Sequence, residues 1–490
     1  MTNLLDAVNG LVWGAPALIL ILGVGLYLTV RTGFPQVRFF ARAMKMFFAQ
    51  LRGRRDGGGT SPYRALCTAL AATVGTGNIA GVAGAIALGG PGAIFWMWLC
   101  AFFGMALKFA EAALAVRFRV RDKTGAWVGG PMYMIRCGMG RSWRWLGGLY
   151  AFFGVVAAFG VGNATQINAV VVSFNRVLTT FGGTESRRGN LILGLLLGIL
   201  VASMLLGGAS RIGAAAEKLV PFASLAYLLL SAGVLIARAE AVPGAFLRIL
   251  EGAFSPRAVT GGMLGSAFQA LRVGVSRGVF TNEAGMGTAS IAHASAKVSH
   301  PADQGLMGIV EVFLDTIVIC TMTALVILCS GVAVPYGTDP GVDLTVQAFG
   351  SVYGGWVPVY IALALCCFAF ATVLGWGLYG VRCAQYLLGE KAWKGFALLQ
   401  AGVVVLGAVL ETKTVWALSE TVNGLMAIPN LIALAALSPE LIRLTKEYRN
   451  RGGVSARGGT YENLDQRKPL RTVTYAEIPS PGGGGGEKRA

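Results

Sequence analysis

Long apolar runs recur along this 490-residue chain, and they restrict it to a fold that crosses a bilayer many times. About 20 apolar residues in a helix span the ~30 Å hydrocarbon core of a membrane. Charged residues make up 13% of the chain, about half of the ~25% that is usual in soluble domains. We therefore predict an all-α polytopic membrane protein with eleven transmembrane helices. The predicted spans are 11–30, 65–88, 92–116, 146–178, 191–208, 214–237, 259–297, 304–334, 353–387, 395–410 and 415–437.

Basic residues in the loops set the predicted orientation. The first apolar run is followed by seven basic residues between Arg31 and Arg55, opposed by Asp56 alone. Because positively charged loops stay in the cytoplasm, we expect the N-terminus outside and, after eleven spans, the C-terminus in the cytoplasm. The net charge of +18 is distributed over such loops, so no nucleic-acid partner is expected.

The composition predicts three regions. Residues 1–60 are expected to form an extra N-terminal transmembrane helix with a basic cytoplasmic loop, 61–440 the core, and 441–490 a flexible basic cytoplasmic tail. The chain contains no catalytic triad, zinc motif or phosphate loop, and its eight cysteines form no C-x-x-C pair. We therefore do not expect an enzyme.

Two of the predicted spans contain glycines and polar residues at their centres. Span 65–88 carries GTGNIAG at 75–81, and span 259–297 carries FTNEAGMGT at 280–288. Non-helical backbone exposed to lipid would leave N–H and C=O groups without partners, at several kcal/mol each. These breaks must therefore be buried in protein or line a cavity.

The breaks occupy matching positions of the sequence, because they lie in the second and seventh spans. Without the first span, they open two sets of five helices, about 61–240 and 258–440, and an odd number of helices inverts the second set. Paired breaks of this kind are typical of the binding site of an inverted-repeat transporter, where half-helix N-termini bind a carboxylate and freed carbonyls bind a small cation. The alternative is that the glycines only allow close helix packing.

Several sequence blocks resemble the alanine or glycine:cation symporter family, also known as sodium:alanine symporters. They are VGTGNIAGVAGAIALGGPGAIFWMW from 74, KFAEAALAVRFR from 108, GGPMYMI from 129, EKLVPF from 217, RGVFTNEAGMGTASIAHA from 277 and FATVLGWGLYG from 370. The resemblance covers about residues 15 to 445. It implies eleven spans with a LeuT-like five-plus-five inverted repeat, and a symporter of the inner membrane that couples Na+ entry to uptake of alanine or glycine.

The resemblance also implies site residues. The first Na+ site would use the Thr73 carbonyl, the Asn78 side chain and Thr281. The second would use carbonyls near Ala71 and Val74 together with Phe368, Ala371 and the Thr372 hydroxyl. The substrate carboxylate would contact Gly75, Gly77, Asn78 and Gln166. The wall of the side-chain pocket would consist of Phe280, Met286, Thr372 and Trp376.

Each of these residues also has a purely structural interpretation. Gln166 could only bond between helices, Asn78 could cap the second half-helix, and Thr372 and Trp376, at i and i+4, could simply pack.

Ionisable residues at membrane depth are costly and are functional candidates by default. They are Lys108, Glu111, Arg272, Arg277, Glu283, His293, Glu311 and Asp315. Lys108 and Glu111 are spaced i,i+3 and are expected to pair, and His293 keeps proton coupling open as an alternative to Na+. A passive channel is the other alternative, although no ring of charges indicates one.

Overall fold

The computed structural model describes residues 14–52, 60–255, 267–410 and 412–450. Outside these residues lie the beginning of the first predicted span, part of the first basic loop, the beginning of the seventh span and residues 451–490 of the tail predicted over 441–490. Residues 441–450 of that tail belong to the helix Ser438–Asn450, in which Leu441 and Leu444 are buried.

The first half of the described chain is helical except for a short antiparallel hairpin, Val120–Arg121 with Trp127–Val128. Its helices are α1 (Ala15–Thr32), α2 (Pro35–Arg38), α3 (Phe40–Arg52), α4 (Pro62–Thr73), α5 (Ala80–Gly89), α6 (Ala93–Arg117), α7 (Pro131–Gly138), α8 (Arg144–Phe159), α9 (Thr165–Thr180), α10 (Arg187–Leu205), α11 (Gly208–Ala237) and α12 (Ala241–Phe254).

The second half is helical as well. Its helices are α13 (Ala267–Asn282), α14 (Thr288–His293), α15 (Pro301–Val312), α16 (Thr321–Cys329), α17 (Asp343–Tyr353), α18 (Val357–Leu388), α19 (Ala392–Gly407), α20 (Thr412–Ala436) and α21 (Ser438–Asn450). Two π-helical turns, Gly160–Ala164 and Phe313–Cys320, join α8 to α9 and α15 to α16.

Several described helices are long and apolar enough to cross a membrane. Six qualify within the described residues: Ala93–Arg117, Arg141–Thr180, Arg187–Leu205, Gly208–Ala237, Pro301–Cys329 and Val357–Leu388. A seventh is obtained if Thr421–Ala436 and Ser438–Asn450, bent by 60°, count as one span. The protein is thus a multi-pass helical membrane protein, but the number eleven stays a prediction, because broken spans contribute only short half-helices.

Both breaks occur where the glycines predicted them. Helix α4 ends at Thr73, Val74 and Gly75 are extended, and a 3-10 turn over Thr76–Asn78 precedes α5. Helix α13 ends at Asn282, and α14 starts only after Gly287. Three residues of the second break have positive φ, namely Glu283 at 53°, Gly285 at 91° and Gly287 at 79°; two of the three are glycines, which adopt such angles without steric cost.

The two broken spans run in opposite directions. The Lys297 N–H, just after α14, donates to the carbonyl of Thr60, just before α4, at 2.9 Å. At the other end, Gly89 of α5 packs against Val273 of α13. The start of the first span therefore meets the end of the second, which is the relation that an inverted repeat requires.

The breaks are enclosed by protein. Every residue from Ala65 to Ala87 and from Gly278 to Ala294 is buried. Around them, α6 packs against α13 and α15, while α18 packs against α8 and α9. The breaks lie where these two groups of helices meet, so their free backbone groups face protein instead of lipid.

Candidate functional site

The two breaks face each other across a small cavity. The space that the centre of a water-sized sphere can occupy in it is about 10 Å³. It is lined by residues of both breaks and of the π-helical and α18 segments beside them: Ala72, Thr73, Gly75, Gly77, Val161, Gln166, Phe280, Glu283, Thr372 and Trp376. Six of the eight predicted substrate residues are in this set; Asn78 and Met286 are buried nearby but are not among the lining residues.

Asn78 organises the first break. Its Oδ1 accepts from the Gly75 N–H at 2.8 Å, and its Nδ2 donates to Asp315 Oδ1 at 2.7 Å. The amide thus closes the 3-10 turn by bonding back to the N–H of its N-cap residue Gly75, as the N3 residue of a capping box does, and ties the turn to the π-helical turn that carries Asp315; it does not cap the second half-helix, which has no side-chain cap bond. The side-chain oxygen keeps a second lone pair, so capping does not exclude a bound cation.

Gln166 contacts the same break from α9. Its Oε1 accepts from the Thr76 hydroxyl at 3.2 Å and from the Thr76 N–H at 3.5 Å, and its Nε2 donates to the Val161 carbonyl at 3.2 Å. The same carbonyl, which lies in the π-helical turn, also accepts from the Thr165 hydroxyl at 2.8 Å. The bonds to Thr76 are long and hence weak.

Thr372 approaches the break from α18. Its hydroxyl donates to the Phe368 carbonyl at 3.0 Å, with the Val74 carbonyl at 3.5 Å. The structure therefore brings together three of the residues predicted for the second Na+ site. The others, Ala71 and Ala371, are buried on the two helices in contact.

At the first predicted Na+ site, for which the Thr73 carbonyl, Asn78 and Thr281 were expected, both threonine hydroxyls bond within their own helices. The Thr281 hydroxyl donates to the Gly278 carbonyl at 2.9 Å, and the Thr73 hydroxyl donates to the Ala69 carbonyl at 3.3 Å. Thr281 lies beside Gly77, since a Cβ added to Gly77 would be 3.0 Å from its Cγ2. Gly77 of the first break and Thr281 of the second broken span are therefore neighbours.

Glu283 is a lining residue that the sequence analysis named among the ionisable candidates at membrane depth but not among the substrate or Na+ residues. Trp376 Nε1 donates to its Oε1 at 2.9 Å, and the Thr288 hydroxyl donates to its Oε2 at 2.6 Å. Among the residues that line the cavity, it alone is ionisable. Its position as the acid inside a glycine-rich break was the signal in the sequence.

Glu111 of α6 holds the second break in shape. Its Oε1 accepts from the N–H groups of Gly285 at 2.9 Å and Gly287 at 3.0 Å, and from Asn430 Nδ2 at 2.9 Å. Asn430 also donates to the Gly285 carbonyl at 2.8 Å. A carboxylate and an amide from two distant helices therefore satisfy backbone groups that the break leaves without helical partners.

The predicted pairing of Lys108 with Glu111 is wrong. Lys108 Nζ donates to Glu311 Oε1 at 2.9 Å, and Glu311 Oε2 contacts His293 Nε2 at 2.8 Å. Helices α6 and α15 pack closely enough for Lys108 to reach Glu311, whereas the Glu111 carboxylate accepts from the N–H groups of the second break.

Carboxyl groups outnumber cations in this buried region. Glu111, Glu283, Glu311 and Asp315 are each at most 2% exposed, and Lys108 is the buried lysine beside them. A buried carboxyl group requires a nearby cation or a proton. The site is therefore built to take up positive charge.

These features define a multi-pass helical membrane protein with the LeuT fold, and the family and relatives to which it is similar are transporters and not enzymes. The crystal structure of MhsT in complex with L-phenylalanine matches it with a TM-score of 0.54 at 14% identity, over 81% of this chain and 99% of that one.

The chain belongs to the sodium:alanine symporter family, whose model matches residues 1–457. The sodium/alanine symporter AgcS of Methanococcus maripaludis is 43% identical over 452 residues, which are 91% of this chain and 97% of that protein. An uncharacterised transporter of Haemophilus influenzae is 44% identical over 455 residues, which are 92% and 96% of the two chains.

Proposed function

We propose that this protein couples Na+ entry to the uptake of a small neutral amino acid, alanine or glycine, by alternating access. The observation that carries the proposal is the pair of breaks facing one cavity, with backbone groups from both and a carboxyl group in its wall. The similarity to a sodium/alanine symporter supports the choice of ion and substrate.

The substrate carboxylate binds at the first break. The Thr76 N–H and hydroxyl already bond to an oxygen, Gln166 Oε1, at 3.2–3.5 Å. Because these bonds are long, a carboxylate replaces Gln166 there at little cost and gains charge-assisted bonds. Gln166 then turns its amide N–H groups toward the same carboxylate.

The substrate ammonium binds at the second break. Glu283 is the ionisable group of the cavity wall, and its two donors, Trp376 and Thr288, hold it in one orientation. Phe280 and Trp376 wall a cavity of only about 10 Å³, so it must widen to admit a zwitterion, and we expect it to accept a hydrogen or a methyl side chain more readily than a larger one.

Two Na+ ions bind at oxygen ligands of the breaks. The first site consists of the Thr73 carbonyl, Asn78 and Thr281, and the second of carbonyls near Ala71 and Val74 with Phe368, Ala371 and Thr372. These are hard donors suited to a hard cation. The surplus of buried carboxyl groups next to both breaks adds the electrostatic attraction.

Alternating access moves one group of helices against the other. Among the described residues, the polar contacts from the breaks to α9 and α18 include Gln166 with Thr76, Thr372 with Val74, and Trp376 with Glu283. The first two are long, at 3.2–3.5 Å, and such weak contacts can break and form again at low cost, whereas the packed helices on each side move as units.

The orientation is cytoplasmic for the loop after α1 and for the C-terminal helix, in the inner membrane. Phe39 and Tyr448 stack edge to face with ring centroids 5.7 Å apart, so both segments lie at the same face of the protein. An even number of crossings between them, such as the ten predicted, is consistent with this contact. In this arrangement the N-terminal region ends at 60, the two inverted repeats span about 61–240 and 258–440, and the C-terminal region begins at 441.

Proton coupling is the second candidate. The carboxyl groups of Glu283 and Asp315 lie at the second and first break, respectively, and each could carry a proton instead of facing Na+. A passive channel has less support, because the sequence indicates paired broken helices and no ring of charges along an axis.

Uptake of labelled alanine into proteoliposomes tests the proposal. We expect accumulation above the outside concentration when Na+ is higher outside, and none with equal Na+ on both sides. Accumulation driven by a pH gradient in Na+-free buffer would establish proton coupling instead, and equilibration without accumulation would establish a passive pore. The variant Gly81→Ala should give the same results as the wild type in this assay, since nothing lies within 4 Å of the added Cβ.

A further inference from the structure

A second cavity lies far from the breaks, where α1 and α21 end side by side. Its volume for the centre of a water-sized sphere is about 120 Å³, which is larger than the cavity between the breaks. Four basic residues line it, Arg31, Arg38, Lys446 and Arg449, and no acidic residue does. We propose that this basic cavity binds the phosphate headgroup of an anionic phospholipid.

The backbone positions these cations on one side of the protein. Helix α1 ends at Gly33, whose φ of 75° lets its N–H bond back to the Val30 carbonyl. The chain then turns directly into α2, which places Arg31 before the turn and Arg38 after it. Lys446 and Arg449 are spaced i,i+3 and so project from the same face of α21.

No acidic residue in the described part of the chain neutralises the four cations. Among the described residues none of them forms an ion pair. The nearby acids of α21 have other partners: Glu440 pairs with Arg117 and Arg443, and Glu447 pairs with Arg443. Like charges grouped around a cavity repel one another, and a phosphate anion relieves that repulsion while accepting several charge-assisted hydrogen bonds.

Exposed apolar side chains adjoin the cavity on its lipid side. Val30 is 54% exposed and Ile19, farther along α1, is 70% exposed. After the turn, Phe34 and Val37 are 46% and 60% exposed. The ligand therefore needs an anionic head and long apolar chains, and basic cavities between helices at the cytoplasmic side of a membrane bind such lipids.

The chain's own C-terminal segment is a poor occupant. Residues 451–490 contain seven basic residues and four acidic ones. A segment with a net positive charge would add to the repulsion in the cavity. A phospholipid of the bilayer has the opposite charge and is always adjacent, because α1 lies at the lipid boundary.

Lipid binding to the purified full chain tests this site. Thermal unfolding is measured in detergent while phosphatidylglycerol is titrated, with phosphatidylcholine of the same acyl chains and inorganic phosphate as separate arms. We expect phosphatidylglycerol alone to raise the unfolding midpoint. In Arg38→Gln/Lys446→Gln its apparent affinity should fall at least tenfold.

The matched control is Lys391→Gln/Lys394→Gln, which removes two basic residues from another loop on the same predicted side and should bind as the wild type does. Equal affinity in wild type and Arg38→Gln/Lys446→Gln would overturn the proposal. An equal effect of phosphatidylcholine would mean that acyl chains alone stabilise the protein, and an equal effect of phosphate would mean a free-anion site; both results contradict a phospholipid headgroup site. If the double variant does not fold, Arg38→Gln alone gives the same comparison.

Discussion

Replacing Glu111 by alanine should destabilise the protein through its second break. Glu111 Oε1 accepts from the backbone N–H groups of Gly285 and Gly287. Leaving a buried donor without a partner costs about 1–3 kcal/mol, so the two N–H groups together predict a loss of about 2–6 kcal/mol. Asn430 loses the same acceptor but keeps the Gly285 carbonyl, which limits its share.

The measurement is unfolding of the purified protein in mixed micelles with increasing sodium dodecyl sulfate. We expect Glu111→Ala to unfold at a clearly lower fraction of dodecyl sulfate than the wild type. Glu111→Gln keeps one acceptor oxygen at this position and should lie between them. Glu111→Ala with a wild-type transition would refute the conclusion that this side chain stabilises the break.

Three further predictions concern the cavity. In Gly75→Ala the new Cβ would lie 2.8 Å from Thr372 Oγ1. Alanine uptake should therefore fall at least about tenfold, which corresponds to ~1.4 kcal/mol in the activation free energy of transport. The variant should still purify as a folded, monodisperse sample. Asn78→Ala removes the acceptor of the Gly75 N–H and a predicted Na+ ligand, and should raise the Na+ concentration for half-maximal uptake in a Na+ titration. Trp376→Phe removes the donor to Glu283 Oε1 and should raise the KM for alanine several-fold more than it lowers the maximal rate.

Each of these variants has a control. Gly81→Ala adds the same methyl group where nothing lies within 4 Å, and Asn78→Asp keeps an acceptor oxygen. Tyr379→Phe removes a buried hydroxyl that has no hydrogen-bond partner among the described residues, from a ring that packs against Trp376. Wild-type uptake in Gly75→Ala, an unchanged Na+ titration in Asn78→Ala or an unchanged KM in Trp376→Phe would each count against the role assigned to that residue.

The positions of the breaks could be predicted because their causes are local. Glycines and short polar residues in an apolar run weaken a helix wherever the chain later packs. The enclosed cavity followed from the same argument, since free backbone groups cannot face lipid. Charge in the loops predicted an orientation that stays a prediction, because the contact between Phe39 and Tyr448 shows only that these two segments lie at the same face of the protein.

The partners of the breaks depend on tertiary structure. Glu111 and Gly285 are 174 residues apart, and Asn430 and Glu111 are 319 apart. No spacing rule relates residues at such distances, and the local i,i+3 rule pointed Lys108 to the wrong acid. The number of spans also depends on tertiary structure. Half-helices such as α4 and α5 have the length and composition of buried helices in soluble proteins, so these properties alone do not identify them as parts of a membrane span.

By itself, the sequence determined that this chain is a multi-pass helical membrane protein with two interrupted spans, because hydrophobicity and glycine content act within one segment. Only the tertiary structure decided which acids, amides and hydroxyls satisfy those interruptions. It placed Glu283 in the cavity wall and Glu111 behind the second break, because helix packing alone sets which distant side chains come within hydrogen-bond distance.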